Sequence, residues 1–157
     1  MEFDPNHLAP CGLYCGVCGV LVATRDNNVK FKEKLVGVYR GSLPGSENLS
    51  AEDIHCGGCL SDRPFLFCRI CGIKRCTQEK GHAGCHECGD FPCEMIEQFP
   101  VPVGKRVILR TIPHWRETGT ARFVRDEEAR YTCPQCGHSL FRGARRCNQC
   151  KVEVDLD

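Results

Sequence analysis

Aromatic side chains are scarce in this chain, only 8% of its 157 residues. So few large apolar groups leave a thin core for a chain of this size, and the usual remedies are disulfides or structural metals. No apolar run approaches the ~18 residues of a membrane span, which excludes a membrane-spanning protein. Met1–Pro10 (MEFDPNHLAP) is polar and acidic and carries no apolar stretch of the kind found in a secretory signal. The expected setting is therefore cytoplasmic and reducing, where clustered cysteines signal metal more often than disulfides. An excess of one charge is also missing: the formal net charge is +1, so no global field selects a partner. No P-loop and no G-x-G-x-x-G occurs, and Gly57-Gly58 lies between two cysteines instead.

What the chain has in excess is cysteine, 15 residues in all. Fifteen is odd, so disulfides alone cannot pair every thiol. The cysteines fall in groups separated by two Cys-free stretches, Gly19–His55 and Glu94–Thr132. Cys68-x2-Cys71-x4-Cys76 recurs as Cys85-x2-Cys88-x4-Cys93, offset by 17 residues. Such a short unit is equally compatible with two metal knuckles and with a duplication.

The first Cys-free stretch reads as a helix. Val29, Leu35, Val36 and Tyr39 follow a helical period, Lys30, Lys32, Glu33 and Lys34 form a polar face, and Asn27 or Asn28 can cap it. Gly41–Ser46 is loop-like, and Ser50-Ala-Glu-Asp53 resembles a capping box. In the second stretch Pro100, Pro102, Gly104 and Pro113 predict short helices, with candidates over Lys105–Thr111 and Thr120–Tyr131. Strands are expected only as short hairpins around the last Cys pairs. Residues 1–100 hold 10 Lys and Arg against 13 Asp and Glu, while residues 101–157 hold 11 against 7. The charge changes sign where the Cys-rich region ends, which supports a boundary there.

The clearest chemical signal is Cys133-Pro-Gln-Cys136-Gly followed by Cys147-Asn-Gln-Cys150, a C-x2-C-x10-C-x2-C spacing. Each pair can turn so that both sulfurs point one way, and two such knuckles form a tetrahedron of thiolates around Zn²⁺ at about 2.3 Å. Pro134 stiffens the first knuckle, and Gly137 permits the positive φ that follows it. The spacing resembles a short zinc ribbon. Four thiolates fill zinc's coordination shell, so the site is structural; a rubredoxin-like iron site shares the geometry.

The other eleven cysteines run Cys11-Gly-Leu-Tyr-Cys15-Gly-Val-Cys18, Cys56-Gly-Gly-Cys59, Cys68-x2-Cys71-Gly-Ile-Lys-Arg-Cys76 and Cys85-x2-Cys88-Gly-Asp-Phe-Pro-Cys93. In order and spacing this string resembles a prokaryotic Cys-rich family known as a domain of unknown function, numbered 3795. The match covers about residues 8–100. The resemblance implies a metal-binding protein, often with a C-terminal ribbon like this one, and implies no particular reaction.

Two partitions of the eleven thiols fit the spacing. The contiguous one places Cys56, Cys59, Cys68 and Cys71 in one site and Cys76, Cys85, Cys88 and Cys93 in another. Cys11, Cys15 and Cys18 then need a fourth ligand, for which His55, His82 and His86 are candidates. The rival joins Cys68 and Cys71 to Cys85 and Cys88, and Cys15 and Cys18 to Cys56 and Cys59, leaving Cys11, Cys76 and Cys93 spare. The contiguous partition strands fewer thiols and closes shorter loops, an advantage under about 1 kcal/mol per site. Cys11-x3-Cys15-x2-Cys18 also has radical-SAM spacing, but that chemistry needs a β/α barrel of on the order of 200 residues. Cys-x2-Cys redox exchange is disfavoured because the βαβ context is missing.

The expected architecture is a small metal-stabilised α+β protein. Residues 1–100 form an irregular Cys-rich zinc-knuckle domain with a few helices, 101–131 a basic helical linker, and 132–157 a zinc ribbon. Trp115 is expected to pack the linker helices. The expected cofactor is zinc, about three to four per chain, in a structural role serving an interaction module and not an enzyme. The alternative is an iron–sulfur redox or electron-transfer protein with its cluster within residues 11–93. The expected partner is single-stranded nucleic acid or an acidic protein, met through residues 101–146. There Lys105, Arg106, Arg110, Arg116, Arg122 and Arg125 are followed by Arg142, Arg145 and Arg146 beside Phe141.

Overall fold

A computed structural model of the chain describes residues 2–157. Those residues form seven α-helices joined by tight turns, with strand pairing confined to isolated bridges. The helices are α1 (Gly19–Arg25), α2 (Val29–Tyr39), α3 (Leu66–Arg69), α4 (Gly72–Glu79), α5 (Glu94–Glu97), α6 (Pro102–Thr118) and α7 (Thr120–Arg130).

The first Cys-free stretch folds as its pattern requires. Asn28 caps α2 by accepting from the Phe31 amide at 3.0 Å. Leu35 and Val36 are buried, whereas Val29 is exposed. α2 lies against α1 and the Ala51–Asp53 turn, which opens with the expected capping box between Ser50 and Asp53. Val20, Ala23, Leu49, Ile54 and Phe65 complete this smaller core.

The second stretch departs from expectation. One helix, α6, runs through Pro113 instead of stopping at Thr111. Proline removes a single i to i−4 hydrogen bond. Against that loss, Val107, Ile108, Thr111, Ile112 and Trp115 form one continuous buried stripe. Burial of a helix face outweighs a local propensity defect. Pro102 sits in the first turn, where its missing N–H costs nothing.

Residues 101–131 were expected to link two units, yet α6 and α7 lie at the centre of the larger core. Ile108, Ile112, Trp115, Phe123 and Val124 cluster there with Tyr14 and Val17 from the first Cys group, Leu21 of α1, and Leu140 and Cys147 from the last Cys group. Arg110 of α6 grips the buried Glu127 of α7 with two hydrogen bonds, at 2.5 and 3.3 Å. Tyr14 donates to Glu128 at 2.9 Å. The hairpins expected at the last Cys pairs reduce to two antiparallel bridges, Thr132 with Ser139 and Arg146 with Glu153. Around each bridge only a pair of cross-turn hydrogen bonds forms, Cys133 N to His138 O with Leu140 N to Tyr131 O, and Cys147 N to Val152 O with Val154 N to Arg145 O. Among the described residues no helix is long and apolar enough to cross a membrane.

Candidate metal centres

All fifteen cysteines are free thiols, and they gather at three places. The tightest is C-terminal. Ligand atoms of Cys133, Cys136, Cys147 and Cys150 lie within 4.8 Å of one another, and this is the one such group of metal-ligating side chains among the described residues. Cys133 Sγ and Cys150 Sγ are 3.6 Å apart, and Cys136 Sγ and Cys147 Sγ 3.7 Å. A tetrahedron with metal–sulfur bonds of about 2.3 Å has edges of about 3.8 Å. The measured spacing therefore suits one tetrahedral ion. The turns favour thiolates at Cys133 and Cys147, whereas at Cys136 the His138 amide is outweighed by burial and by hydrogen bonds with Cys150, Cys133 and Cys147, which push that thiol up to about 12. The backbone amides of Cys136 and Gln135 point at Cys133 Sγ and pull its pKa down to about 6, while those of Cys150 and Gln149 lower Cys147. Gly137 takes φ +73°, as the sequence pattern predicts.

A second group forms between α4 and α5. Cys76, Cys85, Cys88 and Cys93 line a cavity of about 120 Å³ together with Lys80, His82 and Asp90. Lys80 Nζ donates to Cys88 Sγ at 3.4 Å and pairs with Asp90 at 3.0 Å. Burial, then the neighbouring Cys93, Cys88 and Cys76, push the Cys85 thiol up to about 12.

The third place collects the remaining seven. Cys11, Cys15, Cys18, Cys56, Cys59, Cys68 and Cys71 line one cavity of about 150 Å³. The Cys59 amide donates to Cys15 Sγ at 3.4 Å, and the Gly58 amide to Cys56 Sγ at 3.2 Å. Gly58 must be glycine: its φ is +117°, and a Cβ there would meet Asn6 O at 2.5 Å. Burial pushes up Cys11, Cys15 and Cys56, and each has Cys59 as a neighbouring thiol. A hydrogen bond with Cys68 holds Cys59 down and Cys68 up.

This placement decides between the two partitions only piecewise. Cys76, Cys85, Cys88 and Cys93 line one cavity, as the contiguous partition has it. Cys15, Cys18, Cys56 and Cys59 line one cavity, as the rival has it. Cys68 and Cys71 line that same cavity and not the one holding Cys85 and Cys88, which removes the rival's other site. None of the three candidate histidines lines the cavity of Cys11, Cys15 and Cys18. His82 lies with the second group, and His86 is stacked on Trp115 at 3.8 Å.

Two arginines near these sites, Arg142 and Arg116, bond to backbone carbonyls of the thiol turns, which the sequence did not signal. Arg142 lines the seven-thiol cavity. Its backbone amide donates to Val17 O and its guanidinium to Tyr14 O, both at 2.8 Å, so it clamps the Cys11–Cys18 loop. Its Nε is buried without a protein partner. Burial opposes its charge, but Cys18, Tyr131, Cys15 and Cys11 more than offset that and raise its pKa. Arg116 does the same for the second group, donating to His86 O and Cys88 O at 2.8 Å. Tight thiol turns leave carbonyls without partners, and a guanidinium can collect several at once. Phe141, expected beside an open basic loop, packs on Phe31 with ring centroids 4.6 Å apart. Replacing Arg142 by Leu should strand the Tyr14 carbonyl at a cost of about 1–3 kcal/mol. At about 2–4 °C per kcal/mol for a chain of this size, a thermal melt should drop by several degrees. Arg145→Ala, at an exposed neighbour, should leave the melt unchanged.

The fold and these sites define a class: a small, mostly helical, Cys-rich chain with a four-cysteine group able to bind a metal ion. Residues 7–98 match the family model described as Protein of unknown function (DUF3795), and the chain belongs to that family. The C-terminal four-cysteine group lies outside the matched residues. No curated protein and no solved structure matches the chain.

Proposed function

We propose that the chain is a zinc–thiolate protein whose metals are structural, that its C-terminal segment is a zinc ribbon, and that it serves as an interaction module in a reducing compartment. The observation that carries this reading is the Cys133–Cys150 group, whose sulfur separations of 3.6 and 3.7 Å suit a closed tetrahedron. Four thiolates complete zinc's shell and leave no position for a substrate. A partner would meet few free cations. Of the nine basic residues expected to face it, Lys105, Arg110, Arg116, Arg122, Arg142 and Arg146 have acidic or carbonyl partners within the chain. Arg106, Arg125 and Arg145 are exposed, as are Arg116, Arg122 and Arg146 alongside their partners. An acidic partner, single-stranded nucleic acid included, would therefore bind weakly, with a salt slope of roughly −2 for three phosphate contacts.

Elemental analysis and a visible spectrum of protein purified without oxygen test the metal. The expected result is colourless protein with about three to four zinc per chain. Brown protein absorbing near ~400 nm with acid-labile sulfide would replace this reading with the iron–sulfur one.

A further inference from the structure

The cavity of seven thiols poses a counting problem. A single tetrahedral ion uses four of them and leaves three idle beside a metal. Two separate tetrahedral ions need eight. Two tetrahedra that share one corner need seven ligands, one of them bridging. Seven cysteines line the cavity.

We propose that these seven cysteines hold a binuclear zinc–thiolate centre in which Cys59 bridges the two ions. This rests on reading the chain as a metal–thiolate protein. Cys59 neighbours Cys11, Cys15, Cys56 and Cys68; Cys18 shares the last three of these, and it is the contact with Cys11 that sets Cys59 apart. Its amide reaches Cys15 Sγ, which ties it to the Cys15–Cys18 turn. One ion is held by Cys15, Cys18, Cys56 and Cys59, two C-x2-C knuckles facing each other. The other is held by Cys59, Cys68, Cys71 and Cys11, and Cys11 has both Cys59 and Cys71 as neighbours. Cys133, Cys136, Cys147 and Cys150 are the one set that already closes within 4.8 Å, so each four-sulfur set around the seven-thiol cavity reaches edges of about 3.8 Å only as its ion draws the sulfurs together.

The surrounding charge fits the same centre. Seven thiolates and two Zn²⁺ carry a net charge of about −3, in a cleft also lined by Leu13, Phe67 and Phe99. Such a charge needs cations, and two stand beside it. Arg142 lines the cleft with its buried, unpartnered Nε. Lys74 donates to Cys59 O at 3.0 Å. The odd count of thiols also closes. Fifteen cysteines divide into four, four and seven, and about four ions use every one of them only if one sulfur is shared.

The test is ¹¹³Cd NMR of the full chain after zinc is exchanged for ¹¹³Cd²⁺. A shared thiolate couples two ¹¹³Cd nuclei through one sulfur, whereas separate sites show none. The expected spectrum has about four resonances from all-sulfur sites, two of them split by each other. Resonances without mutual splitting would overturn the bridge and leave the metal–thiolate reading standing. A chain that takes up no ¹¹³Cd²⁺ would overturn both. Native mass spectrometry of zinc-loaded variants gives an independent check. Cys59→Ala should lose about two ions and Cys71→Ala about one. Equal losses from the two variants would overturn the proposal.

Discussion

Stripping the metal should unfold the whole chain and not only loosen its end. Six of the cysteines at the candidate sites, Cys11, Cys15, Cys59, Cys85, Cys133 and Cys147, belong to the larger core itself. That core also contains Trp115, Phe123 and Tyr131, so the elements that bury the aromatics are the ones the thiols position. Structural zinc supplies apparent folding free energy of about 10–16 kcal/mol per site. A domain of ordinary stability has a total of about 5–15 kcal/mol. Losing all of the sites together therefore exceeds the margin several-fold. With excess chelator, far-ultraviolet circular dichroism should lose most of its helical signal and Trp115 emission should shift to the red. Both should recover when zinc is returned under reducing conditions. Retained helicity and a buried Trp115 in metal-free protein would show that the apolar core suffices and that the thiols are dispensable.

Much of this arrangement was legible in the sequence, and the reason lies in the spacing of ligands. Cys133, Cys136, Cys147 and Cys150 are local pairs, and a C-x2-C turn can bring its two sulfurs together without help from the rest of the chain. α2 and its Asn28 cap were legible because period and cap are also local signals. The division of the other eleven thiols was not legible, because it depends on which turns the helices bring together. Cys15 and Cys59 are 44 residues apart and meet only once α1, α2 and the Gly58 turn are in place. The carbonyl bonds of Arg142 and Arg116 were hidden for the same reason. Arg142 looks like any surface cation until the loop of Tyr14, 128 residues away, presents its carbonyl. Pro113 misled in the opposite direction: as a local signal it predicted a helix end, but the buried stripe of α6 overrode it. The basic composition of residues 101–131 likewise did not reveal the buried face of α6.

Trp115→Ala should be the most damaging single change away from the cysteines. The side chain is only 2% exposed. Its ring lies between His86, at 3.8 Å and 14° from parallel, and Phe123, at 4.7 Å and 12°. Its Nε1 donates to Thr120 Oγ1 at 3.0 Å, across the junction between α6 and α7. Truncation of a buried Trp costs about 3–5 kcal/mol from lost burial and the cavity left behind. At about 2–4 °C per kcal/mol, the zinc-loaded protein should melt roughly 10 °C lower or more. The damage should also have a direction. His86 sits between Cys85 and Cys88, so removing the ring beneath it loosens that turn first. Zinc release to a chromophoric chelator should then gain a fast phase from the Cys76, Cys85, Cys88 and Cys93 group, while the C-terminal group releases at its former rate. Trp115→Phe keeps a stacking ring and loses the hydrogen bond, so its cost should be clearly smaller, about 1–2 kcal/mol. If Trp115→Ala melted within a degree or two of the parent chain, the stack would be incidental and α6 would have to be held by its aliphatic residues alone.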